Sequence, residues 1–568
     1  MSFTKLFISM PSRYKWAIFL GLTAIGFGGV GWWRSSLELT HLDILYRALS
    51  VFGFNDTYRD LPAGQFTWTL EVARFLGPAS LLIVASAALF DVLGKTRIRR
   101  TAAKIKDLRG VIVGASPYAF SAIEGARRDG SKLLHLGANA TNKEGALFRL
   151  PWDDRSRKEL MLATYASRAK YILVSAETDS ETLVLAVAAT KLSKHPRVTA
   201  IVSGGRLADD YSDLLANGNK GCAYPLRILA ASSLSARHLH LHNPPFLRAR
   251  AENQKRVHAV IVGFGETGEA LARDLAVNCL TLGLDRPRLT VIDPLMAERE
   301  AALRQRVPEL DETVVFEGVL GGFGNGLNPP KLLDPEHDKI THAYICLGND
   351  GDTLAAEGAL RQWLRLSGQP DVPVFLKLRE SGILASSENT TVFGSTDQTV
   401  ELSGWTDDAF DDAASTLHRF YRTALSEHRK EAHGLDTAQN WDSQTPDIQR
   451  SNRAVVSHIS AKLFSVGIDA THWLGKASIP YLQHESGMLG RIEALARLEH
   501  DRWNAERRWS GWRYSGTPRK DGGKKLDDLK MHPDLVPYDL LDVESQEYDR
   551  ASIRILEKLL TTRASAKR

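Results

Sequence analysis

Three glycines at the spacing G-x-G-x-x-G occur in Val260-Ile-Val-Gly263-Phe-Gly265-Glu-Thr-Gly268, between an apolar β-branched run and a helical pattern. That spacing suits a pyrophosphate. Gly263 permits a tight strand-to-helix turn, Gly265 lets phosphate approach the backbone, and Gly268 lets the helix pack on the strand. Asp293 closes the next apolar run, Val291-Ile-Asp-Pro, at the position of an acid that accepts from a ribose diol. Asp350 follows a further strand, at a carboxyl end expected to line the same crevice or to cap the next helix.

A second constellation lies near the C-terminus. Trp503, Trp512 and Tyr514 supply flat faces, and Arg502, Lys524, Lys525 and His532 supply cations, all within a short segment. Such a mixture could hold a nucleotide or phosphorylated ligand by stacking and charge. The alternative is that the aromatics form a small core and the cations are solvated. The sequence displays no catalytic triad, paired acid/base carboxylates or metal cluster, which points away from an enzyme. Cys222, Cys279 and Cys346 are widely spaced and form neither a disulfide framework nor a zinc pattern.

The elements that must position these residues follow from periodicity. Apolar runs at 111–113, 132–136, 171–175, 198–202, 258–262, 289–292, 313–316, 343–347 and 374–378 alternate with helical patterns. This is the signature of buried parallel strands in a doubly wound α/β fold. It occurs twice. Tyr171-Ile-Leu-Val-Ser with Asp179 and Thr182 recurs as Tyr344-Ile-Cys-Leu-Gly with Asp350 and Thr353. The first copy keeps only Gly114 of the fingerprint, has Ser116 at the pyrophosphate position, and ends its next strand without an acid. It is expected to be structural or altered in ligand.

Tandem domains of this type resemble the Trk/RCK regulatory domains of potassium transporters and channels. The resemblance implies that NAD(H), ATP or ADP binds at Gly263, Gly265, Gly268 and Asp293, and that the domains assemble. A dehydrogenase on the same scaffold would need a proton-transfer group, and His342 and Lys377 are candidates by type alone. The ordered set from Leu495 through Trp503, Trp512, His532 and Tyr548 resembles the RyR repeat, named for ryanodine receptors.

Two apolar stretches, 16–33 and 75–93, are each long enough to cross a bilayer core of roughly 30 Å as a helix. The first exceeds a signal peptide's apolar region and has no small-residue cleavage site after Trp33. Basic residues precede the first stretch and cluster from Lys95 to Arg109 after the second, so both termini are expected in the cytoplasm of an inner (plasma) membrane protein. The net charge of +5 owes much to that cluster, which suits anionic lipid and not nucleic acid. Between the stretches, an amphipathic pattern (Leu42, Leu45, Tyr46, Leu49) precedes Ser50-Val51-Phe52-Gly53-Phe54-Asn55. That order resembles a two-span potassium-channel pore, although a filter needs a run of axial carbonyls as in T-V-G-Y-G, and this segment has one Gly where two are expected and one extra residue; the alternative is a surface helix. Glycines in the first stretch favour close packing and a homo-oligomer, a dimer or tetramer.

The expected organisation is a two-span membrane module (1–109), a first Rossmann-like domain (110–250), a second (251–383), a helical linker (384–444) and a mainly α RyR-like domain (445–568). Its expected function is that of a nucleotide-regulated membrane protein, channel- or transport-regulator-like and related to potassium. The alternatives are a membrane effector of nucleotide signalling or antiviral defence, and a membrane-bound NAD(P)-dependent oxidoreductase.

Overall fold

The computed structural model describes residues 12–35, 37–53, 61, 67–104, 110–131, 133–137, 147–150, 169–192, 197–218, 226–324, 327, 329–331, 333, 339–380, 389–405, 409–428, 441, 444–468 and 491–566. The chain divides into two compact units, Met1–Lys106 and Asp107–Arg568.

In the first unit, α1 (Ser12–Trp33) and α3 (Trp68–Lys104) each contain a stretch long and apolar enough to cross a membrane, Lys15–Trp33 and Trp68–Leu89. Between them, α2 (His41–Ser50) starts at a capping box in which Thr40 and Asp43 satisfy each other's backbone N–H groups. Close packing follows from glycine. A Cβ on Gly28 would lie 3.4 Å from the Ala48 backbone, and one on Gly31 would strike the Leu70 side chain. Gly26 and Gly29 have nothing within 4 Å.

Part of the expected pore segment is described. Val51–Gly53 forms a 3-10 turn, not an extended row of carbonyls, and buried Val51 packs where Gly77 of α3 leaves room. Ser50 ends α2 and donates to the Arg47 carbonyl, while Phe54 and Asn55 lie outside the described residues.

The second unit holds two six-stranded parallel sheets. The first orders its strands β3-β2-β1-β4-β5-β6, with β1 Gly110–Val113, β2 Leu133–Leu136, β3 Leu147–Leu150, β4 Tyr171–Val174, β5 Arg197–Val202 and β6 Leu226–Ala230. The second repeats that order as β9-β8-β7-β10-β11-β12, with β7 Arg256–Val262, β8 Asp285–Asp293, β9 Val315–Leu320, β10 His342–Ile345, β11 Val374–Lys377 and β12 Thr390–Phe393. Central strands are buried throughout because helices cover both faces. The helices that follow the strands are, in the first copy, α4 (Pro117–Arg128), α5 (Asp179–Leu192) and α6 (Gly205–Gly218).

The two copies exchange their last helices. After β6, α7 (Ala231–His242) leaves its own sheet, and α8 (Pro245–Ala251) leads into β7. Ala236 and Leu239 of α7 join a core with Leu271 and Leu275 of α9 (Glu266–Asn278). The second copy continues through α10 (Met296–Arg306) and α11 (Asp350–Leu366) to β12. Then α12 (Thr396–Leu402) crosses back, and Val400 and Trp405 pack on Ile112 and Ile123 of the first copy. His240 pins one exchange, facing Asp274 at 2.6 Å and the Tyr344 hydroxyl at 3.1 Å.

Two boundaries therefore shift. The expected linker from 384 contains β12 and α12, which complete the Rossmann pair. Next, α13 (Ala409–His428) buries Ala413, Ala414 and Leu417 in the C-terminal core, with Val456 of α14 (Pro446–Ser457), Leu463 of α15 (Ile459–Ser465), Leu495 of α16 (Ile492–Trp509) and Ile553 of α17 (Val543–Ala566). Between α16 and α17 lie two-residue strands, β13 (Arg513–Tyr514) and β14 (Met531–His532), paired in parallel.

Candidate nucleotide site and aromatic pocket

The fingerprint glycines divide their work as the spacing required. Gly263 adopts φ +88°, and a Cβ there would sit 2.8 Å from the Cys346 carbonyl. A Cβ on Gly268 would run into the Gly263 carbonyl. At Gly265 the nearest atom to a Cβ would be Arg299 Nη1, 3.9 Å away, so the approach to this backbone is open. Gly265 is also the N-cap of α9 and offers no side chain to its first-turn N–H groups. Unfilled amides at the positive end of a helix dipole are what a phosphate needs.

The first copy closes the same position. Gly114 again turns with positive φ, but Ser116 caps α4 by accepting from Ala119 N–H at 3.1 Å, and Pro117 removes one donor. His135 reaches up from β2, its Nε2 2.8 Å from the Gly114 carbonyl.

Asp293 is nearly fully buried and already engaged. One oxygen accepts from Phe264 N–H at 2.7 Å and the other from Leu295 N–H at 2.8 Å, and the carboxylate forms an ion pair with Arg299, whose Nε lies 3.0 Å away. Arg299 also donates to the Phe264 carbonyl at 2.5 Å. The acid thus fastens the glycine turn, and the half-exposed guanidinium of Arg299 lies beside the open face. The sequence pattern did not single out Arg299. Its position just inside the helix after the acid was the available signal.

Asp350 braces the loop after β11. Its carboxylate accepts from Arg379 N–H at 3.0 and 3.1 Å and from Glu380 N–H at 3.3 Å, and Asn349 is the residue that caps α11. The carboxyl ends of the two copies share one crevice. Glu266 of α9 fills the space beside Gly204 of the first copy, and Tyr118 lies in the field of Arg379 from the second. Burial, then Asp179 and Glu269, raise the Glu266 carboxyl above the usual range.

His342 does not reach this crevice. It is buried, stacks on Phe375 at 5.1 Å, and is pushed down to about 3 by burial and by His240. Lys377 ends β11 nearer the crevice; burial, then Arg379, lowers its ammonium.

In the C-terminal domain, part of the expected cluster comes together. The His532 ring sits edge-on to Trp503 at 5.0 Å and to Trp512 at 6.0 Å. Lys525 Nζ lies 5.0 Å over Trp512 and pairs with Asp527 at 2.7 Å. Lys524 is exposed on the same loop. Arg507, missed in the sequence, lies 5.8 Å over Trp503 and 5.6 Å over Trp512, and both of its bonds to Asp447 are 2.8 Å.

Three expected residues differ in role. Arg502 is buried and gives two bonds to Glu499, at 3.1 and 2.9 Å, so it serves the core. His532 is no cation: burial, then Arg519 and Lys525, lower it to about 3. The Tyr514 ring turns to Ala496, Val536 and Tyr538. The cluster is therefore two indoles, a neutral imidazole and two cations, Arg507 and Lys525, each paired with an aspartate. Among the described residues no group of three or more metal-ligating side chains occurs.

Residues 484–564 match the family described as the RyR domain. No curated protein matches the chain. Among solved structures, GsuK bound to ADP is 14% identical, with a TM-score of 0.33, over 68% of this chain and 95% of that one. The GsuK channel bound to NAD is 12% identical, with a TM-score of 0.32, over 68% and 81%. A dipicolinate synthase from Bacillus halodurans is 9% identical, with a TM-score of 0.19, over 52% and 94%.

Proposed function

We propose that the protein is a nucleotide-regulated membrane protein, of the channel- or transport-regulator kind, in which the second Rossmann copy binds NAD(H) or an adenine nucleotide. The observation that carries this reading is the contrast between the two helix N-termini. The α9 end is uncapped beneath an open glycine, whereas Ser116 and Pro117 close the α4 end. Supporting the membrane part are the two apolar helices and the basic run from Lys95 to Arg109, which favours cytoplasmic termini at an inner membrane. Outward-facing Gly26 and Gly29 support a homo-oligomer, since two spans of one chain cannot enclose a pore. The test is ion flux through liposomes containing the purified protein, with and without NADH or ADP. Nucleotide-dependent potassium flux is the expected result; flux absent under every condition removes the transport reading.

A second reading is favoured by the aromatic pocket. There the protein is a membrane effector whose RyR domain senses a flat anionic ligand between Trp503, Trp512, Arg507 and Lys525. A pocket that binds such a ligand, in a protein that permeabilises membranes without ion selectivity, would favour it over regulated transport.

A further inference from the structure

The C-terminal domain grips both helices that flank the glycine turn. Helix α10 starts beside that turn, where Arg299 ties Asp293 to the Phe264 carbonyl, and it ends at Arg306. Three residues on, Glu309 divides its carboxylate between two groups of the RyR domain. One oxygen accepts from Arg508 Nε at 2.7 Å, the other from the backbone N–H of Tyr514 at 3.0 Å. Trp509 donates to Thr313 Oγ1 at 3.0 Å nearby. On α9, Arg273 donates to Ser510 Oγ at 3.0 Å and to Asp209 of the first copy at 2.7 Å.

Tyr514 belongs to β13, and β13 pairs residue for residue with β14, where Tyr514 lies opposite His532, the ring between the two indoles. One carboxylate thus joins the far end of the helix that carries Arg299 in its first turn to the strand that backs the aromatic cluster. A ligand entering over Gly265 meets the Arg299 guanidinium, whose Nη1 stands 3.9 Å from where a Cβ would project. That guanidinium also holds the Asp293 carboxylate and the Phe264 carbonyl, so a ligand that engages it acts on the contacts between the glycine turn and the first turn of α10, the 11-residue helix that leads to Glu309.

We propose that Glu309 is a positioning residue that couples nucleotide occupancy of the second Rossmann copy to the shape of the RyR aromatic pocket. The proposal rests on the nucleotide reading above. Coupling between sites is reciprocal in binding free energy, and its usual range is about 5- to 150-fold in affinity.

The experiment uses the full-length protein in detergent. ADP and NADH are titrated by calorimetry, and hydrogen exchange is followed across residues 511–532 with and without saturating nucleotide. Wild type should bind and should change its exchange at 511–532. Glu309→Ala removes both ties; Glu309→Gln keeps an acceptor for Tyr514 and loses the Arg508 charge pair, which guards against a variant that fails to fold. Both should change nucleotide affinity by roughly five-fold or more, with the exchange response weakened in Glu309→Gln and absent in Glu309→Ala. Thr313→Val, which removes the Trp509 bond and the hydroxyl's own bond to the Leu310 carbonyl but leaves both Glu309 ties in place, should lower melting temperature and leave affinity unchanged. Wild-type affinity and exchange response in both Glu309 variants would overturn the coupling, as would a Thr313→Val effect on affinity equal to theirs. Absence of ADP and NADH binding to wild type would instead remove the nucleotide reading, and the coupling with it.

Discussion

Asp350, the first residue of α11, accepts the backbone N–H of Arg379 at 3.0 Å, and so ties the end of β10 to the end of β11. Asp179 does the same in the first copy, accepting from Ser203 N–H at 3.1 Å. The duplicated Asp therefore holds two adjacent strand ends in register on the crevice side of each sheet.

Replacing Asp350 by Ala should cost about 1.5–3 kcal/mol, the range for hydrogen bonds to a charged group. Asp179→Ala should cost a similar amount. Thermal melts of both single variants check this. An unchanged melting temperature for Asp350→Ala would point back to a ligand role for that residue.

The duplication was legible because nine strands, eight of them interior and the ninth the edge strand β9, read as apolar runs, and each appears within a residue or a few of its expected place. The strands that escaped, β3, β6 and β12, are all sheet edges. Arg149, Arg227 and the Thr390-Thr391 pair interrupt their apolar character, as half-covered edges permit. The exchange of α7 and α12 was not legible, because an amphipathic helix records that it has an apolar face and not which sheet receives it. The glycine turn was fully readable, since each glycine answers to a local clash or opening. The aromatic pocket was only partly so. Arg502 and Arg507 look alike as residues, and their difference comes from α16: Arg502 faces inward to Glu499, whereas Arg507 faces the indoles.

Glu499 is the anion of a buried cluster. It pairs with Lys462 at 2.6 Å and Arg502 at 2.9 Å, all three almost fully buried. Burial alone would raise its carboxyl; Arg502 and Lys462 outweigh that and hold it at about 2, below the ordinary 4.5. A depressed carboxylate contributes stability that is complete above its unfolded value and is lost as pH falls through the folded value. The C-terminal domain should therefore lose stability progressively from about pH 4.5 toward pH 2. Glu499→Gln should cost about 3–5 kcal/mol at neutral pH, because two buried cations lose their partner. Denaturation at several pH values reads both effects, and a Glu499→Gln variant as stable as wild type would show the cluster to be dispensable.

Lys524 and Lys525 should behave differently from Trp512. The lysines are exposed, so the double Ala variant should keep the wild-type melting temperature while weakening the response to a flat anionic ligand. Trp512→Ala empties a buried site and should cost about 3–5 kcal/mol. Retained ligand response in the lysine pair, together with unfolding from Trp512→Ala, would reduce the segment to a scaffold.

The central claim is that nucleotide binds over Gly265, and Gly265→Asp tests it most directly. The new carboxylate would project into the open approach and place a negative charge against the phosphate, while the turn itself, at φ −79°, accepts a side chain without strain. Calorimetric titration of full-length wild type and variant with ADP and NADH is the measurement. The account predicts binding to wild type and its loss, by roughly a hundred-fold or more, in a Gly265→Asp protein that melts normally, since close phosphate contacts to backbone N–H groups cannot form around a like charge. Equal affinity in the two proteins would contradict it.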